Sequence, residues 1–151
     1  MKKKTVYLDM DGTIADLYGT DEWLEKLINE DTEIFKECKP LTTQETLFEK
    51  YPTDKYDIKI LSMTPKNASD EYCLNVIQQK NEWLDKYFPQ LKKRIYKKYG
   101  YNKNLKNSKN AILIDDNEKI RNNFRGIALE PVWWKAIFLF RALDNYNNNM
   151  I

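Results

Sequence analysis

Short runs of apolar, β-prone residues alternate with longer segments of helical periodicity along this chain. The runs Thr5–Leu8, Ile58–Leu61 and Ala111–Ile114 predict strands. Helical patterns separate these runs, and such an alternation is typical of a parallel sheet that is covered by helices. The sequence therefore predicts an α/β domain with a mostly parallel sheet flanked by helices.

One stretch interrupts this alternation with helices alone. It spans residues 16–56, and we interpret it as a small helical cap inserted after the first strand. Residues 1–15 and 57–151 then form the core domain, since 151 residues are typical of one domain with a small insertion. The remaining predicted elements are helices over Asp21–Glu37, from Thr43 to Pro52, and over Leu74–Phe88, Glu118–Phe124 and Trp133–Asn145, strands at Arg94–Tyr96 and Ile127–Leu129, and a loop over Gly100–Asn110.

The chain contains no histidine, which excludes several classes of enzyme. Ser-His-Asp triads, Cys-His pairs and histidine ligand sets for zinc all need that side chain. Catalysis must then use carboxylates, lysines, hydroxyls or a metal that is held by oxygen ligands.

The charge and the cysteines indicate the setting of the protein. The 25 basic and 23 acidic side chains give a net charge of +2, which argues against long nucleic acid as a partner. No apolar run is long enough for a membrane span or for the core of a signal peptide. Cys38 and Cys73 are expected to be free thiols in a reducing cytoplasm. The sequence leaves both a monomer and a homodimer open.

Oxygen-bearing side chains follow three of the predicted strands. They are Asp9 with Asp11, Ser62 with Thr64, and Asp115 with Asp116. Ligands of parallel sheets bind at the carboxyl ends of the strands, so we expect these side chains to lie in one crevice. Several carboxylates together need a cation, and Mg²⁺ prefers oxygen ligands. An aspartate can be the nucleophile of phosphoryl transfer, and a second carboxyl group can act as acid and base.

These motifs give the chain a resemblance to a known family. The segments DMDGT (Asp9–Thr13), ILSMTP (Ile60–Pro65) and ILIDD (Ile112–Asp116) resemble three motifs of the haloacid dehalogenase (HAD) superfamily of phosphohydrolases. The segment QKNEWLDKYFP (Gln79–Pro89) resembles the lysine region of the 5'(3')-deoxyribonucleotidase branch, with Lys80 as the lysine. The resemblance implies a HAD-like Rossmannoid fold with a small cap.

The resemblance also implies catalytic and metal-binding residues. Asp9 is expected to be the nucleophile and a metal ligand. Asp11 is expected to be the general acid and base, with its backbone carbonyl on Mg²⁺. Asp115 is the expected third protein ligand of the metal, and Asp116 is expected to hold a metal-bound water or to support the site.

A second group of residues is implied to bind the phosphate of the substrate. Ser62 is expected to supply a hydroxyl, and Lys80 to hold both the phosphate and the nucleophile. The backbone amides of Met10 and Met63 are expected to add hydrogen bonds. Thr64 is the alternative to Ser62, because the two hydroxyls flank Met63.

The sequence therefore predicts a Mg²⁺-dependent phosphomonoester hydrolase that acts through an aspartyl-phosphate. The resemblance implies nucleoside (deoxy)monophosphates as substrates. The alternatives are another small metabolite phosphate, a polynucleotide 3'-phosphate, or a non-catalytic HAD-like binding module, against which the presence of Asp9 and Asp11 argues. Four aromatic residues of the insertion either line a base-binding pocket or pack the cap against the core; they are Tyr18, Trp23, Phe35 and Phe48.

Overall fold

The computed structural model describes residues 2–133, and within this range five strands form one sheet. The strands are β1 (Lys4–Leu8), β2 (Tyr56–Met63), β3 (Arg94–Lys97), β4 (Ile112–Ile114) and β5 (Ile127–Leu129). They lie in the order β3-β2-β1-β4-β5, and every neighbouring pair is parallel. The predicted α/β fold with a parallel sheet is thereby confirmed.

Helices connect the strands of this sheet. The connection from β1 to β2 contains three short helices, while single helices follow β2 and β4. Their bounds are α1 (Trp23–Ile28), α2 (Ile34–Glu37), α3 (Gln44–Lys50), α4 (Asp70–Tyr87) and α5 (Glu118–Asn123). A 3-10 turn (Ser108–Asn110) precedes β4. The helix predicted over Trp133–Asn145 lies outside the described residues, apart from Trp133 itself.

Strand β1 is buried on both faces. Successive side chains of a strand point to opposite faces, and here Val6 and Leu8 join the larger apolar cluster, which contains the buried face of α4. Tyr7 joins a second cluster with Ile120 and Phe124 at the other face. Burial on both faces explains why three successive residues of the central strand, Val6, Tyr7 and Leu8, are apolar or aromatic.

The single helix predicted over residues 21–37 is in fact two short helices. The break follows α1, where Glu30 adopts a positive φ of 54°. The carboxylate of Asp31 then accepts a hydrogen bond from the amide of Glu33 (2.7 Å), just before α2 begins. Such local bonds of Asp offer the backbone an alternative to a continuous helix.

The inserted segment 16–56 packs directly on α4. Its buried residues, among them Phe35, belong to the same apolar cluster as the residues of the sheet. The Phe35 amide donates to Gln79 Oε1 (3.0 Å), and Trp83 Nε1 donates to the Cys38 carbonyl (2.8 Å). Thr43, where the sequence predicts this helix to begin, caps α3 by accepting a hydrogen bond from the Thr46 amide. None of the helices in residues 2–133 is long and apolar enough to cross a bilayer.

Candidate active site

The loop that follows β1 has a tightly constrained conformation. The carbonyl of Met10 accepts hydrogen bonds from the amides of Thr13, Ile14 and Ala15. Gly12 has a φ of +79°, and a Cβ atom there would lie 2.3 Å from Asp116 Oδ2. Glycine is therefore required, both for the left-handed backbone and for the close approach of Asp116.

Three of the predicted residues form a compact carboxylate cluster. One oxygen of each of Asp9, Asp115 and Asp116 lies within 4.8 Å of the others. The strand ends bring them together, since Asp9 follows β1 and its amide donates to the Ile114 carbonyl at the end of β4 (2.9 Å). Thr13 Oγ1 donates to Asp9 Oδ2 (2.8 Å) and accepts a hydrogen bond from the Asp116 amide (3.2 Å).

Lys103 completes this cluster, although it is not among the residues that the sequence predicts. Its Nζ atom lies 2.6 Å from Asp9 Oδ1 and 2.8 Å from Asp115 Oδ2. The side chain is buried and comes from the polar loop after β3. A lysine in such a loop has no periodicity or motif around it, so only the path of the loop could have indicated its place.

The charges of the cluster perturb one another. Burial raises the pKa of Asp116 to about 9, and repulsion by Asp9 adds to this rise. Burial and the charge of Asp9 also raise the pKa of Asp115 to about 6, against the opposing effect of Lys103. Burial acts to raise the pKa of Asp9 too, but the Lys103 ammonium and the hydrogen bonds to this carboxylate hold it below its ordinary value. Negative charge is thus in excess at this edge of the sheet.

Asp11 belongs to a neighbouring network around Lys80. Lys80 is fully buried, and its Nζ donates to Asp11 Oδ2, Ser62 Oγ and the Met63 carbonyl, each at 2.8 Å. Burial raises the pKa of Asp11, although the ammonium of Lys80 opposes the rise. The structure thus places Lys80 against Asp11, whereas the lysine that contacts Asp9 is Lys103.

The predicted phosphate-binding residues occupy different depths. Ser62 is fully buried beneath the site and accepts the hydrogen bond from Lys80. Thr64, the alternative hydroxyl, lines the cleft above the carboxylates together with Met63. Met10 is fully buried within the loop. The position of Thr64 makes it the better placed of the two hydroxyls to meet a ligand.

A cleft of about 390 Å³ opens above the carboxylates. Asp9, Asp11, Lys103, Asp115 and Asp116 line its floor. Three of the four predicted aromatic residues, Tyr18, Trp23 and Phe35, line its wall with apolar side chains of α1. Phe48 instead packs against the core. The cleft is also lined by residues that the sequence does not predict there; they are Lys66, Tyr99 and Tyr101.

The donor set of the floor fits a hard divalent cation. Asp9, Asp115 and Asp116 supply only oxygen atoms, which Mg²⁺ prefers. The cluster contains three carboxyl groups and one ammonium, that of Lys103. The three aspartates would hold the metal, and a bound Mg²⁺ would supply the missing positive charge.

The comparisons with known proteins add no assignment to this geometry. No model of a protein family matches the sequence, and no curated protein gives a significant match to it.

Proposed function

We propose that this protein is a Mg²⁺-dependent phosphomonoester hydrolase of the HAD type, with Asp9 as its nucleophile. The observation that carries the proposal is the floor of the cleft. There, four carboxyl groups and the buried ammonium groups of Lys80 and Lys103 meet at the carboxyl ends of β1, β2 and β4. Opposed charges of this kind, without histidine, suit the transfer of a phosphoryl group to a carboxylate.

Asp9 is the residue best placed to attack phosphorus. It opens into the cleft, and Lys103 and Thr13 orient its two oxygens. The hydrogen bonds and the nearby ammonium keep the carboxylate ionised, as a nucleophile must be. In the first step the new bond joins Asp9 to phosphorus, and the bond from phosphorus to the ester oxygen breaks.

Asp11 is placed to move the proton of both steps. Lys80 holds its Oδ2, while its Oδ1 is buried and has no hydrogen-bond partner among residues 2–133. This free oxygen would carry the proton that the leaving alkoxide takes. The resulting carboxylate would then accept a proton from the water that attacks the aspartyl-phosphate, which releases inorganic phosphate and restores Asp9.

The positive groups of the site would neutralise the phosphoryl oxygens. Lys103 lines the cleft beside the nucleophile, and Thr64 offers a hydroxyl from the end of β2. Lys80 donates its three hydrogen bonds to Asp11, Ser62 and the Met63 carbonyl, so we assign it to orient the proposed acid, Asp11. Mg²⁺, when bound, would screen the carboxylates from the phosphate and stabilise charge in the transition state.

A nucleoside monophosphate is the substrate class that we favour. The cleft has the volume of a site for one small ligand, and aromatic and aliphatic side chains form the wall above the floor. Tyr18 and Trp23 pack edge to face, with ring centroids 4.9 Å apart. Such a wall suits a flat base better than it suits a sugar phosphate. The free cysteines, Cys38 and Cys73, fit a reducing cytoplasm as the setting.

Phosphate release from a panel of phosphomonoesters tests the proposal. The panel contains deoxynucleoside 5'- and 3'-monophosphates and sugar phosphates, each with Mg²⁺ and with a chelator. We expect Mg²⁺-dependent release that favours the nucleotides and that falls at least about 10⁴-fold in Asp9→Asn, because this change removes the nucleophile. Asp70→Asn, at an exposed site in the first turn of α4, is the control.

Two outcomes would contradict parts of the proposal. Equal turnover of nucleotides and sugar phosphates would exclude nucleotide specificity but leave the chemistry. No release from any ester by the folded protein in Mg²⁺ would instead support a non-catalytic binding module.

A further inference from the structure

Two half-exposed tyrosines line the cleft at its solvent-exposed edge. Tyr99 and Tyr101 are 48% and 44% exposed, and their ring centroids lie 6.2 Å apart. The ammonium group of Lys66 lies 5.7 Å from the ring of Tyr99, and that of Lys119 lies 5.2 Å from the ring of Tyr101. We name these four residues, together with the exposed Lys98, the tyrosine rim.

The proposed hydrolysis does not use the tyrosine rim. The reacting groups all lie on the floor of the cleft, whereas the rim faces solvent at its edge. Lys97 holds the loop in place, since its Nζ donates to the carbonyls of Asn102 (2.9 Å) and Asn104 (3.4 Å). These bonds brace the loop that carries the two tyrosine rings, while Lys66 and Lys119 reach the rings from other parts of the chain.

Positive charge is concentrated in the part of the chain that carries this loop. Residues 86–114 contain nine of the 25 basic side chains and none of the 23 acidic ones, so the remainder has a net charge of about −7. The near balance of the whole chain therefore conceals a basic segment. Exposed aromatic rings interleaved with lysines are the features with which proteins bind single-stranded nucleic acid, through base stacking and phosphate contacts.

The size of the cleft limits which part of a substrate can reach the tyrosine rim. About 390 Å³ lies near the lower end of the range for small-ligand sites, so one nucleotide would fill the cleft. Any part of a substrate beyond that nucleotide must leave the cleft past its mouth. Tyr99 and Tyr101 line that mouth together with Lys66.

We propose that the preferred substrate is the phosphorylated end of a short single-stranded oligonucleotide. The terminal nucleotide would fill the cleft, with its phosphomonoester at Asp9. The next bases would stack on Tyr99 and Tyr101, and the linking phosphates would approach Lys66, Lys98 and Lys119. This inference rests on the proposed phosphomonoester hydrolysis and extends it from a mononucleotide to a nucleotide chain.

The test compares a thymidine trinucleotide with thymidine monophosphate, each phosphorylated at the 5' end or at the 3' end. For one of the two ends, we expect kcat/KM for the trinucleotide to exceed that for the mononucleotide by at least about tenfold. A tenfold effect is what the stacking of one base on an aromatic ring contributes to binding. The trinucleotide has two linking phosphates that the mononucleotide lacks, and at about 0.7 each they predict a plot of log kcat/KM against log salt that is steeper by about 1.4 for the trinucleotide.

Variants of the rim separate substrate binding from a structural contribution. In the double variant Tyr99→Ala, Tyr101→Ala we expect the trinucleotide preference to fall about tenfold, whereas the matching double Phe variant should keep it. Lys66→Gln with Lys119→Gln should flatten the salt dependence. The single variant Lys92→Gln removes one lysine charge next to the opposite end of β3 and should change neither quantity.

The outcomes distinguish this inference from the proposed function. Active enzyme with equal kcat/KM for trinucleotide and mononucleotide would overturn the inference and leave the hydrolase standing. If the rim variants lower kcat/KM equally for the trinucleotide and the mononucleotide, the tyrosines contribute to structure and not to binding of the chain. This result would also overturn the inference. No turnover of any phosphomonoester would overturn the proposed function and, with it, this inference.

Discussion

At the scale of single residues, two buried lysines each pair with different carboxylates of the candidate site. Lys103 joins Asp9 and Asp115, while Lys80 joins Asp11 to the end of β2. The proposed nucleophile and the proposed acid thus each have a separate cationic partner. Because these pairs are buried, loss of either partner leaves an uncompensated charge, which is more costly than loss of a surface pair.

Asp11→Asn should uncouple the two chemical steps. The amide cannot deliver or accept the proton, so we expect turnover to fall by about 10²- to 10⁴-fold. An activated leaving group such as p-nitrophenol needs little protonation, so the first step should continue and phosphorylated Asp9 should accumulate. Mass spectrometry of the intact protein after acid quenching would detect it. Absence of the adduct with this ester, despite continued release of p-nitrophenol, would contradict the assignment of Asp11 as the base of the second step.

Lys103→Met should weaken the fold more than a loop substitution ordinarily does. It leaves Asp9 and Asp115 without their ammonium, and breaking a buried ion pair costs about 3–5 kcal/mol. At about 2–4 °C per kcal/mol, we expect Tm to fall by roughly 10 °C in the absence of metal. Lys106→Met, at an exposed position of the same loop, is the control and should lie within about 0.5 kcal/mol of wild type. Equal Tm values for the two variants would show that the buried pairs contribute little.

At the scale of elements, the turn after β1 sets the distance between its own carboxylates and Asp116. Gly12→Ala places a methyl group against Asp116 Oδ2 in a left-handed backbone. We expect a loss of about 1–2 kcal/mol from the backbone alone and roughly 10²-fold lower turnover, because Asp116 or the loop must move. Gly100→Ala is the control for stability alone, since nothing lies within 4 Å of its added Cβ but the residue lines the cleft. Denaturant unfolding measures the first effect and phosphate release the second, and equal stability of the two variants would contradict this interpretation of the turn.

The elements that the sequence predicts well are those with a strong local pattern. The apolar runs at Thr5–Leu8 and Ala111–Ile114 become β1 and β4, and their polar ends meet as expected. The helix predicted over residues 21–37 is wrong as a single element, because a positive φ at Glu30 and the side chain of Asp31 interrupt it. Neither residue type excludes a helix by itself, so periodicity alone does not reveal the break.

The position of Lys103 shows why part of the candidate site can be predicted only from the order of the strands in the sheet. Because β4 lies beyond β1 in the sheet, the loop after β3 must pass β2 and β1 before the chain re-enters the sheet. It begins at the carboxyl edge, where the candidate site lies, and so its first residues, including Lys103, adjoin Asp9 and Asp115. The strand order is a long-range property, and the local sequence of a polar loop does not contain it.

At the scale of the whole molecule, the proposed metal site would link metal binding to the stability of the fold. Burial and the charge of Asp9 disfavour the charged forms of Asp115 and Asp116, so the three carboxylates of the protein without metal carry an unfavourable term that a divalent cation would remove. A ligand that binds only the folded state, at a concentration about 100 times its Kd, adds about 2.7 kcal/mol to the free energy of unfolding. For a chain of this length we therefore expect saturating Mg²⁺ to raise Tm by roughly 5–10 °C.

Asp116→Asn should have opposite effects on stability without metal and on the stabilisation by Mg²⁺. Without metal, the variant removes a buried carboxyl group whose pKa is raised by burial and by Asp9, so we expect a Tm equal to or above that of wild type. With Mg²⁺, the variant has lost one of the oxygen anions that hold the cation, and the gain in Tm should shrink to less than half. Asp70→Asn should keep the full gain, and sodium chloride at matched ionic strength should not reproduce it in wild type. If Mg²⁺ raises the Tm of Asp116→Asn and of wild type equally, the cation stabilises the protein at another place. Metal binding would then not explain why the three carboxylates lie buried in one cluster.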